Sequence, residues 1–183
     1  MVSVDLTDEE LRLCGDVAGK RLLDLGCGRG ESCVTFASRG AKVIGIDQSA
    51  DDLAYARRLV EEEERRVELR HGDLADLAFL PPASVDVAFS AGALSYVSDP
   101  GRVFRQVHRV LKTGAPLVFS VVHPASRLDM SSYWAGYTIA DLYGGLQRAN
   151  FEVDTLLEPE PTRTSPPTLA PQTLVMRGRK LGL

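Results

Sequence analysis

Hydrophobic and polar positions along this chain switch repeatedly between two periods. Short apolar runs at 21–25 (RLLDL), 42–47 (KVIGID), 67–73 (VELRHGD), 84–90 (SVDVAFS) and 116–122 (PLVFSVV) predict strands. Segments with helical spacing separate them. Residues 31–39 (ESCVTFASR) end at Gly40, and 50–66 carry Leu53, Ala56 and Val60 on one face. Residues 102–112 show a stripe of Val103, Val107, Val110 and Leu111, ended by Gly114, and Pro81-Pro82 closes the fourth strand on its N-side. Ahead of the first strand, Thr7 or Asp8 can cap a short helix running to Leu13. Past His123 the pattern weakens. Residues 138–149 read as a helix despite Gly144-Gly145, 151–157 and 172–180 as strands, and 159–171, with five of the ten prolines, as a loop.

Strands joined by helices predict an α/β fold with a parallel sheet and right-handed crossovers. Unbroken apolar runs such as LVFSVV fit strands buried on both faces. Ligands of such sheets sit beyond the carboxyl ends of the strands. Here those ends are Gly26, Asp47, Asp73, Ser90 and His123, which would share one crevice. With 183 residues and no internal repeat, a single domain over 1–183 is expected.

Composition narrows the function classes. The net charge is −4 and the pI about 5.4, which argues against nucleic acid as a partner. The run Glu61–Glu64 is answered by Arg65 and Arg66, predicting helical pairs Glu61–Arg65 and Glu62–Arg66 on a solvated face. Cys14, Cys27 and Cys33 make neither an even disulfide set nor C-x-x-C spacing, so no metal site is read and a reduced, cytoplasmic compartment is expected. MVSVDLTDEE lacks the apolar stretch of a signal peptide, and no apolar run reaches the roughly 18 residues of a membrane span.

The candidate chemistry centres on LLDLGCGRGES, residues 22–32. Three glycines, Gly26, Gly28 and Gly30, let the backbone approach a ligand closely. No Lys-Ser or Lys-Thr follows, so this is not a P-loop. In the dinucleotide spacing G-x-G-x-x-G the third glycine falls on Glu31. A carboxylate in the first helical turn repels a pyrophosphate. The turn suits a ligand without one, carrying a positive group that Asp24 or Glu31 could face. Asp47 ends the second strand, where a carboxylate can accept both hydroxyls of a ribose; the alternative is a helix cap, a role Gln48 or Ser49 could also fill. At the third strand end, Asp73 can take an exocyclic amine while Leu74 packs on a base.

With these stations in order, the chain resembles the class I S-adenosylmethionine-dependent methyltransferases of the small-molecule type. The likeness covers residues 11–124 and resumes in GGLQRANFEVDTLLEPEP. It implies a Rossmann-like doubly wound sheet, mostly parallel with an antiparallel last strand beside the fifth, and helices on both faces. It also implies short lid segments before the first strand and after the fifth. Asp24, Gly26, Cys27, Gly28 and Gly30 match the motif around the methionine part of the ligand. Asp47 matches the ribose station, Gln48 and Ser49 flank the adenosine, Asp73 and Leu74 match the adenine station, and Ser90 and Ala91 the fourth strand end. The implied cofactor is S-adenosyl-L-methionine, with S-adenosyl-L-homocysteine as product.

Methyl transfer from a sulfonium needs no acid for its neutral leaving group, so positioning and exclusion of water can carry it. A base is needed only for a hydroxyl-like acceptor. His123, at the end of the fifth strand, is the candidate; the alternative is a turn histidine bonded to backbone. His71 and His108 read as structural. Tyr96 and the cluster Tyr133, Trp134 and Tyr137 can line the acceptor side or cover the sheet. Ser90-Ala91-Gly92 departs from the Asn/Asp-Pro-Pro-Tyr of enzymes acting on planar amino groups, again pointing away from nucleic acid. The expected partner is a small-molecule acceptor, with no membrane and a monomer or homodimer. A non-catalytic binding subunit serving a partner chain is the alternative.

Overall fold

A computed structural model describes residues 12–127, 137–159 and 171–182. The apolar runs become strands β1 (Arg21–Leu25), β2 (Lys42–Asp47), β3 (Val67–His71), β4 (Val87–Ala91) and β5 (Pro116–Val122), followed by β6 (Phe151–Leu157) and β7 (Thr173–Lys180). They form one sheet in the order β3-β2-β1-β4-β5-β7-β6. β1 to β5 pair in parallel, and β7 runs antiparallel to both of its neighbours. The strand order reverses at β1, which has β2 on one side and β4 on the other. Such a reversal splays the following connections apart and opens a crevice at the carboxyl ends.

Helices α1 (Glu31–Ser38) and α2 (Ala50–Glu62) cover one face, and α3 (Pro100–Val110) and α4 (Ile139–Arg148) the other. On the first face Cys33, Phe36 and Leu53 pack on Leu22, Val43, Val87 and Phe89, with the Phe36 and Phe89 rings edge to face. On the second, Val103, Phe104, Val107, Leu142 and Leu146 pack on Leu23, Ile44, Ala88, Leu117 and Phe119.

Several boundaries differ from the sequence pattern for local reasons. α3 begins at Pro100 rather than 102, because Asp99 caps it by accepting the Arg102 amide and proline fits the first turn. Phe104 joins its buried stripe, while Leu111 lies just beyond the helix and is buried there. β4 starts only at Val87, since the Asp86 carboxylate is taken up by the Arg21 amide and Lys112. α2 stops at Glu62 and Glu64 turns the chain with φ 52°. The pairs Glu61–Arg65 and Glu62–Arg66 therefore do not form, and among the described residues none of the four has an ion pair. The β3–β4 connection, residues 72–86, contains no helix. Thr7, Asp8, Tyr133, Trp134 and most of the proline-rich stretch lie outside the described residues. No helix among the described residues is long and apolar enough to cross a membrane.

Candidate functional site

The glycine turn leaves β1 and enters α1 through left-handed backbone at Gly26 (φ 73°) and Gly28 (φ 51°). The two positions have different reasons for lacking a side chain. A Cβ on Gly26 would lie 2.1 Å from Ala93 Cβ, whereas one on Gly28 would meet nothing within 4 Å and so borders open space. Four of the turn amides are committed within the protein. Those of Gly26 and Cys27 donate to the Ile46 carbonyl at 2.8 and 3.2 Å, that of Gly28 to Asp47 Oδ2 at 2.8 Å, and that of Gly30 to the Cys27 carbonyl at 2.9 Å. A phosphate cradle would need those four amides unclaimed, and the carboxylate of Glu31 opens α1 just beyond them.

Asp47 sits half-buried at the end of β2. Its Oδ2 accepts the Gly28 amide and its Oδ1 the Ser49 amide at 2.8 Å. It is not the helix cap: Ser49 is, accepting the Asp52 amide on its hydroxyl. Each carboxylate oxygen keeps a second lone pair. Gln48 is exposed, and its carbonyl meets His71 Nε2 at 3.0 Å, tying the ends of β2 and β3 together. Asp73 is exposed, with Oδ1 accepting the Ala75 amide at 2.8 Å. Beside it opens a pocket of about 320 Å³ lined by Ile46, Arg70, Gly72, Asp73 and Phe79.

Asp24 lies beneath the turn, 1% exposed. Its Oδ2 accepts the Ser32 hydroxyl and, at 3.2 Å, the Cys33 thiol, while Oδ1 is buried with no partner among the described residues. Burial pushes its pKa up to about 6, against the pull of the Ser32 and Cys33 bonds and with a smaller push from Asp47. An unfolded aspartate titrates near 3.9. Between those two values the folded state holds a proton the unfolded state has lost, so this group weakens the ligand-free fold as pH rises, by about 3 kcal/mol once above 6. Asp24→Asn should consequently gain stability relative to the parent between pH 4 and 6, measured by denaturant unfolding at both ends. A pH-independent difference would refute the assignment.

The remaining sequence candidates divide by where their side chains go. Cys27 is 5% exposed and points inward, close to where Cys33 and Gly45 meet, so only its backbone belongs to the turn. Gly30 leads into α1 against Ala56. Ser90 is fully buried and donates its hydroxyl to the Leu25 carbonyl at 2.8 Å; it clasps β4 to β1, and Ala91 is the half-exposed residue at that strand end. Leu74 is buried in the core beside Gly26, not laid open as a platform for a base. The apolar surface at that station is instead Phe79, 36% exposed, with the Arg70 guanidinium 5.2 Å from its ring centre. Sequence reasoning missed Phe79 because it lies in an aperiodic loop; a lone aromatic ahead of Pro81-Pro82 was the available signal. It missed Ser32 as well, whose place as the second residue of α1 aims it back at Asp24.

His123 is 5% exposed at the end of β5. Its Nδ1 accepts the Ala125 amide at 3.0 Å, which leaves Nε2–H to face Glu158 Oε1 at 2.9 Å. Tyr96, on the short turn Ala93–Tyr96 after β4, is 70% exposed, and Tyr137 donates its hydroxyl to the Val97 and Ser98 carbonyls.

The family model described as a methyltransferase domain matches residues 23–119, from β1 through the Asp47 and Asp73 stations to β5. The chain belongs to this methyltransferase family. A ubiquinone biosynthesis O-methyltransferase of Pseudomonas syringae pv. tomato is 39% identical over 108 residues, 59% of this chain and 47% of that protein. One of the same name from Hahella chejuensis is 38% identical over 120 residues, 66% of this chain and 49% of that protein. The chain thus spans about half the length of the curated relatives it matches. Among solved structures, an S-adenosylmethionine-dependent methyltransferase from Mesorhizobium loti aligns with a TM-score of 0.80 at 29% identity, covering 94% of this chain and 96% of that one. A Listeria monocytogenes structure aligns with a TM-score of 0.83 at 24% identity, covering 95% and 96%, and shows the shared fold.

Proposed function

We propose that this methyltransferase domain binds S-adenosylmethionine in the crevice at the ends of β1, β2 and β3 and transfers its methyl group to a hydroxyl of a small molecule. Asp47 carries the proposal. Its carboxylate is fixed by two backbone amides, keeps lone pairs for a ribose, and stands beside a turn in which Gly26, Cys27, Gly28 and Gly30 have already spent their amides. The buried, unpartnered Oδ1 of Asp24 and the open space over Gly28 fit a cationic, phosphate-free nucleoside. The pocket beside Asp73 and Phe79 fits its base. The hydroxyl class rests on the O-methyltransferases that the chain resembles.

When bound, the sulfonium supplies an activated methyl group with a neutral leaving group. The protein's part is to position and to exclude water. Asp47 orients the nucleoside, and Gly26 and Gly28 let the backbone come close. A single calorimetric titration with S-adenosylmethionine tests the binding: micromolar saturation supports it, and no heat at millimolar ligand sinks it. Methyl transfer to catechol, followed with a labelled methyl group, tests the acceptor class.

His123 acts in this scheme as a positioning residue, joining the end of β5 to Glu158 after β6, since both ring nitrogens are engaged. The acceptor's proton then leaves to solvent, and the rate follows the acceptor's own ionisation. His123→Gln should lower kcat less than tenfold and leave the pH profile in place. A loss beyond a hundredfold together with a vanished acidic limb would restore it as the base.

A further inference from the structure

At the opposite end of the same three strands, the register brings like charges side by side. Arg21 pairs with Lys42 across β1 and β2, and Val43 pairs with Val67 across β2 and β3, so Arg66 stands next to Lys42. Alternation along the strands puts Arg21, Lys42 and Arg66 on one sheet face, the face of Leu23 and Ile44. Arg65 adds a fourth cation at the same edge. These residues frame a groove of about 590 Å³ that is also lined by Ile44 and Glu68 on the same face, while the side chains of Val43 and Val67 turn to the opposite face. A helix joining β3 to β4 would be the natural cover for this face, and residues 72–86 have none.

Like charges on neighbouring strands repel, so the row is a cost unless something balances it. No carboxylate among the described residues pairs with it. Arg21, Lys42, Arg65 and Arg66 make no side-chain hydrogen bond or ion pair there, although Arg70, Arg105, Lys112, Arg177 and Arg179 all find carboxylates. Glu68, which lines the groove itself, holds Arg70 at 2.6 Å, and Asp86 holds Lys112 at 2.6 Å and the Arg21 amide. The breakdown of the pairs Glu61–Arg65 and Glu62–Arg66, caused by the stop of α2 at Glu62, is what frees two of the cations. On a chain with a net charge of −4, this is a concentrated exception.

We propose that this groove is a binding site for a phosphorylated small molecule, distinct from the methyl-donor crevice. Its phosphates would meet the cation row and its organic part would lie against Ile44. Three strands span only about 10 Å across the row, too narrow for the continuous backbone of a nucleic acid. The volume lies in the range of small-molecule sites. Arginine and lysine together suit phosphoryl oxygens, the first by its planar fork and the second as a point charge.

Inorganic tripolyphosphate and ATP are the probes. Calorimetry at physiological ionic strength should show one saturable site for tripolyphosphate, still present with S-adenosylhomocysteine at saturating concentration. If the organic part uses the Ile44 surface, ATP binds at least as tightly as tripolyphosphate under that block; weaker ATP binding would overturn the apolar half of the proposal. The double variant Lys42→Gln, Arg66→Gln should bind tripolyphosphate at least tenfold more weakly with unchanged affinity for S-adenosylhomocysteine. Relief of repulsion should keep its unliganded Tm equal to or above the parent's, while tripolyphosphate should raise the Tm of the parent alone. Absence of saturable binding, displacement by S-adenosylhomocysteine, or an affinity indifferent to the double substitution would each overturn the site.

Discussion

Asp47→Ala is expected to reduce S-adenosylmethionine affinity by at least a hundredfold. Two hydrogen bonds from ribose hydroxyls to a carboxylate contribute about 1.5–3 kcal/mol each. The aspartate also accepts the Gly28 and Ser49 amides, so the alanine leaves the glycine turn untied from β2 as well as removing the ribose partner. Calorimetry gives the affinity, and thermal unfolding separates the two contributions: the loss of two backbone anchors should lower Tm by a few degrees without unfolding the chain. A loss below tenfold would show that Asp47 serves the turn alone.

Gly26→Ala is expected to destabilise the fold by about 3 kcal/mol and to abolish donor binding. The new Cβ would stand 2.1 Å from Ala93 Cβ, with the Ala93 backbone at 3.6 Å, and the residue would be held at φ 73°. Overpacking of a tight contact costs about 1–3 kcal/mol and left-handed backbone about 1 more. Adding Ala93→Gly removes the contact and leaves the backbone strain. The double variant should therefore recover more than half of the lost stability in urea unfolding, and full insensitivity to Ala93→Gly would place the damage elsewhere.

The frame of the fold was legible because burial on both faces imposes unbroken apolar runs. β1, β2, β5 and β6 occupy the residues that their runs predict. What escaped was decided by single residues acting out of period. The left-handed Glu64 ended α2 early, and a periodicity count across 50–66 cannot see a φ angle. Ser90 and Leu74 stand at strand ends, where position alone suggested exposure, yet β4 and the core draw both side chains inward. The placement of Asp47 at the end of β2 was legible for the opposite reason. A carboxylate at a strand end followed by a better cap, Ser49, keeps its oxygens for other partners. His123 was located correctly but not oriented, since its bond to Glu158 joins the ends of β5 and β6, far apart in sequence.

The placement of β7 has a consequence for how the chain assembles. β7, which follows β6 in the chain, lies between β5 and β6, pairing with Pro116–Val122 on one side and Phe151–Leu157 on the other. Until residues 173–180 are available, β6 has no neighbour among the described strands and β5 presents a seven-residue, largely apolar edge. Unpaired edges of that kind recruit other chains. Completion of the sheet is thus a late threading step between two waiting strands, and a nascent chain stalled short of Thr173 should aggregate through β5 even with its glycine turn already formed.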